Sequence, residues 1–115
     1  MGRRTKLFTA KDMDFIAHTF DEHIRLAKQH IGCTWEHSAA AEKAAAYRVI
    51  KNIGAAQYGT IPLDGEDFAF IQFVVEEHCD FANEGIAQPW GKTGQDDSIK
   101  ASHVLRKLQL VAEPP

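Results

Sequence analysis

At 100° of turn per residue, Met13, Ile16, Phe20, Ile24, Ala27 and Ile31 fall on one stripe of a helix. Thr9 precedes the stripe as a cap, Asp12 stands where a capping box places its acid, and Gly32 closes the segment. A second, alanine-rich segment capped by Ser38 runs to Gly54 or Gln57 and turns Ala39, Ala46, Val49, Ile50, Ile53 and Gly54 inward, with Tyr47 at the edge. Residues 57–65 read as a loop, within which the extended stretch 60–63 is able to pair. Asp64 and Asp67 then open a third helix that reaches Asn83. Its apolar arc, from Phe68 through Phe70, Ile71, Val74 and Val75 to Cys79, Phe81 and Ala82, fills about half the circumference, more than a surface helix needs. Residues 84–97 are glycine-rich, carry Pro89 and Trp90 and show no period. A last helix begins at Asp96, Asp97 or Ser98 and ends near Val111. It turns Ala101, Val104, Leu105, Leu108 and Val111 inward and Ile99, Lys100, His103, Arg106, Lys107 and Leu110 outward.

These elements predict an all-α fold, a single-domain bundle of about four helices with a long Gly/Pro/Trp loop before the last one. The wide face of the third helix is expected to lie against the small residues of the second. The 115 residues suit one core, so the domain is taken as 1–115, with a basic arm at 1–8 and a proline-rich tail at 112–115. An apolar share of 44% and a charged share of 25% are those of a globular chain, which argues against disorder over most of it. No window approaches a membrane span and no signal-peptide pattern follows the basic N-terminus, so a cytoplasmic location is expected, with no membrane partner. Cys33 and Cys79 are the only cysteines, in no C-x-x-C spacing, and fit free thiols, with a bridge between them as the alternative.

Candidate chemistry changes this picture little. Residues 18–30 hold three histidines, but His18 lies opposite the apolar stripe beside Asp14, Glu22 and Arg25, which predicts a solvated ring with a weak helical ion pair. His23 and His30 share an azimuth yet stand roughly 10 Å apart along the axis, too far for ligands that must each reach one zinc at about 2 Å. Glu36-His37 and Glu77-His78 are adjacent pairs rather than Glu-x-x-His, so neither metal nor cofactor is expected. Arg25 and His30 resemble the nuclease pair of the HEPN ribonucleases, small helical domains as well. That pair usually lies late in the chain with a polar residue after the Arg; here it lies in the first helix and Leu26 follows, so the spacing is read as chance. Cys33 with His37 has no third group to orient it, and Trp35 beside them reads as a plug for one end of the bundle. His78 falls in the middle of the apolar arc, where a buried ring with one hydrogen-bond partner is the expectation.

Charge layout is the strongest nonlocal signal. No Lys or Arg lies between Lys51 and Lys92, a segment with seven acids, whereas the other residues carry 13 basic and 9 acidic side chains. Either the acids are neutralised internally by Lys100, Arg106, Lys107 or the Arg3-Arg4 arm, or they face a basic partner. The expected function is a non-catalytic protein-interaction or regulatory protein acting through an apolar and acidic helical face. The residues assigned to that face are Phe73, Glu76, Glu77, Asp80, Trp90, Ile99 and Leu110. A homodimer is expected from the exposed apolar positions. The alternative is a nucleic-acid-binding regulator using Arg3, Arg4, Lys100, Arg106 and Lys107, against which stands a sequence pI near 6.0.

Overall fold

The computed structural model describes residues 7–32, 38–57 and 62–112. It is an all-α bundle of four helices: α1 (Ala10–Lys28), α2 (Ala39–Ala56), α3 (Gly65–Asn83) and α4 (Gly94–Val111). No strand occurs among the described residues. Leu63 and Ala112 form one isolated parallel bridge, so the loop after α2 does pair, with the end of α4. No described helix is long and apolar enough to cross a membrane.

Local chemistry sets the helix ends. Thr9 and Asp12 make a true capping box on α1, and Ser38 and Asp64 cap α2 and α3 through their side chains. α4 starts earlier than its periodicity suggests, because Thr93 and Asp96 form a second capping box and its first turn is polar. At the far end of α1, Ile31 N–H bonds to Leu26 O and His30 N–H to Ala27 O, a Schellman closure with His30 in the left-handed region at φ 58°. α3 ends in the same way on Gly85. Gly32, at φ 83°, has no room for a β-carbon, which would stand 2.8 Å from the Phe81 ring.

The helices stack in the order α2, α1, α3, α4, with α1 packed against both α2 and α3. The wide face of α3 therefore meets α1 and α4, and the expectation that it lies chiefly on α2 is corrected. Phe15, Ile16, Phe20, Val49, Ile53, Ile71, Val74, Val104 and Leu108 form the centre of the core. On α1 the predicted stripe is right at Ile16, Phe20 and Ala27, but Phe15 and Leu26 are buried too while Met13 and Ile24 sit half-buried at the edge. A helix gripped from two sides buries more than one stripe. The extra arc brings Asp12, Glu22 and His23 inside with Phe15 and Leu26.

Candidate functional site

Three polar ties cross the core, and each uses an acid that the helices place without solvent. Asp12 is fully buried and accepts from Lys100 Nζ at 2.5 Å and Lys107 Nζ at 2.6 Å. Burial opposes its ionisation, but the two lysine hydrogen bonds outweigh burial and hold the carboxyl well below the usual range. Lys100 and Lys107, expected on the outer face of α4, are thus turned back onto α1, with Lys100 also over the Trp90 ring. Asp97, fully buried at the start of α4, accepts from His78 Nε2–H at 2.6 Å and from the backbone N–H groups of Trp90 and Gly91 at 2.7 Å each. It pins the 84–93 loop and orients His78, whose Nδ1 has no hydrogen-bond partner among the described residues.

His23 forms the third tie. Its Nδ1–H donates to Glu77 Oε1 at 3.3 Å, and its Nε2 lies 3.2 Å from Glu42 Oε2. Burial works against the charged ring, while Glu77 and Glu42 raise its pKa above the ordinary value. A raised histidine contributes stability that is full below its unfolded value near 6.5 and is lost as pH rises through the folded value. Urea midpoints measured from about pH 6 to 9 should therefore fall more in the native chain than in His23→Gln, which lacks the titrating ring. Parallel curves for the two proteins would show that this ion pairing contributes nothing.

The space bounded by Glu22, His23, Glu77 and His78 is too narrow to admit a water molecule. Among the described residues, no three His, Cys, Asp or Glu side chains are placed to hold a metal ion. His18 is not the solvated ring the helical wheel predicts. It is half-buried, its Nε2–H donates to Gln88 O at 2.7 Å, and its ring meets the His78 ring edge-on. Its expected acid partners are engaged elsewhere: Glu22 holds Arg25 through two hydrogen bonds, and Asp14 accepts from the Trp90 indole. Of the two residues that resembled a nuclease pair, Arg25 is held by Glu22 and His30 lies in an exposed turn past the end of α1.

The assigned docking residues divide into two groups. Phe73, expected to face water, is half-buried with its ring edge-on to His23, and Glu77 is occupied by the same histidine. Trp90 is half-buried against Phe15. The second group stays outside. Ile99 is 65% and Leu110 74% exposed, and Glu76 and Asp80 lie on the solvent face of α3. Glu76 and Asp80 line an open groove of about 380 Å³ between α3 and α4, where they are joined by the buried Cys79 and Ala101 and the exposed Ser102. Burial pushes the Cys79 thiol up to about 11, so it is a small apolar filler there rather than a nucleophile. Arg3, Arg4, Cys33, Trp35, Glu36, His37 and the tail beyond Ala112 lie outside the described residues.

Sequence reasoning missed the groove because it is made by two helices together. It also missed the outward row Lys43, Tyr47 and Lys51 on α2, where Tyr47 is 62% exposed. The four-residue spacing was the available signal. Comparison with protein-family models, curated proteins and solved structures finds no match to this chain.

Proposed function

We propose that this chain is a small cytoplasmic protein-interaction or regulatory protein that performs no catalysis and receives a basic helical segment of another protein chain in the α3–α4 groove. One observation carries the reading. Lys100 and Lys107 are consumed by Asp12, so Glu76 and Asp80 face solvent without them, and α4 also carries two large exposed apolar side chains outside the groove lining. An acidic rim beside small residues suits a helix that brings its own cations and a bulky apolar side chain. Ile99 and Leu110 share an outer stripe of about 60° on α4 with the basic residues His103 and Arg106. Self-association belongs to the same reading, since a second copy of the chain is one such partner.

Nucleic acid is the poorer fit. Of the three α4 cations assigned to it, two are turned inward and Arg106 alone remains exposed. The test is titration with a synthetic amphipathic peptide of lysines and leucines, read by chemical-shift changes of the groove residues. Binding should weaken with salt, and Ser102→Arg, which places a cation in the groove, should weaken it about tenfold or more. Equal binding by Ser102→Arg, or shifts confined to α1 and α2, would reject the groove.

A further inference from the structure

The acidic groove has a counterpart on the opposite edge of the same molecule. α2 points Lys43, Tyr47, Arg48 and Lys51 to solvent and buries its single acid, Glu42, inward. Tyr47 stands between Lys43 and Lys51, four residues from each, with Lys43 Nζ 5.9 Å from its ring centre. On α3, Glu76 and Asp80 line the groove, and the exposed C-cap residue Glu84 continues the same four-residue interval just past the end of the helix. Each row runs over eight residue steps, about 12 Å at the helical rise, so the two rows match in length, opposite in charge.

We infer that the occupant of the α3–α4 groove is α2 of a second copy of this chain, joined head to tail. This inference rests on the groove reading above and names its partner. Lys43 and Lys51 of one copy meet Glu76 and Glu84 of the next, and Tyr47 enters the groove over Cys79, Ala101 and Ser102 beside Asp80. A two-fold arrangement of grooves is disfavoured, because it sets the same acids against each other. In the head-to-tail arrangement each copy keeps a free groove at one end and a free α2 row at the other. Assembly therefore continues past the dimer, into a ring or an open chain.

Two variants with exposed substitutions test this. Glu76→Lys/Glu84→Lys spoils the groove, and Lys43→Ala/Tyr47→Ala/Lys51→Ala spoils the row while favouring the helix. Circular dichroism establishes that both are folded, and analytical ultracentrifugation over about a hundredfold range of concentration gives the mass. The native chain should grow beyond a dimer with concentration, and each variant should lose about tenfold or more in association. An equimolar mixture of the two should form pairs and stop, since it contains one intact groove for each intact row. A native chain that stays monomeric overturns the inference, and in that case peptide binding shows whether the groove reading survives it. Variants that assemble like the native chain, or a mixture that does not pair, overturn it as well.

Discussion

Asp97→Ala is expected to cost at least about 3 kcal/mol of stability, because one buried carboxylate satisfies three donors that have no other acceptor in place. His78 Nε2–H and the amides of Trp90 and Gly91 all end on it. Removing the acceptor strands an imidazole inside the core and frees the loop from the first turn of α4. The loss should appear as a lowered urea midpoint and as faster amide exchange at residues 84–93. Asp97→Asn retains one accepting oxygen and should fall between the native protein and the alanine variant. An unchanged midpoint for Asp97→Ala would mean that water enters and replaces the carboxylate.

The second large effect belongs to Asp12. Asp12→Ala removes the acceptor of the capping box on α1 and the counter-charge of Lys100 and Lys107 together. Breaking a buried pair costs about 3 to 5 kcal/mol, and the lysines' remaining access to water places this loss near the lower figure. The pH behaviour is opposite in sign to that of His23. A depressed carboxyl contributes fully above its unfolded value of 3.8, and that stability is lost as pH falls toward the folded value. Acid unfolding of the native protein should therefore be steeper below about pH 4 than that of Asp12→Ala. Matching acid limbs would show that the triad gives no net stabilisation.

Apolar periodicity was enough to read the four helices, because each has caps and a repeating face. The arc of α3 was read almost residue for residue. What periodicity does not encode is which polar side chains are pulled inside by partners distant in sequence. Asp12 meets Lys107 across 95 positions, and nothing local to α1 announces it. His18 was misplaced for the same reason, since a wheel treats a polar azimuth as solvent and cannot see Gln88 arriving from the loop. Ile99 and Leu110 were legible as outward because α4 has its cover on one side. Phe73 was not, because its cover comes from α1 across the bundle.

The stacking order gives α2 a special standing. It is an edge helix whose main packing partner is α1, and among its polar contacts Glu42 approaches His23 and Asn52 bonds to Asp67. The other three helices are tied to one another by Asp12, Asp97 and the loop they hold. Val49 and Ile53 anchor α2 in the core, but a helix with one main packing neighbour should open at a lower free energy than the whole fold melts, and faster amide exchange in α2 than in α1 or α3 would show it. Whatever seats on its outward row stabilises the closed form and suppresses that opening, so occupancy at Tyr47 and the integrity of α2 rise and fall together.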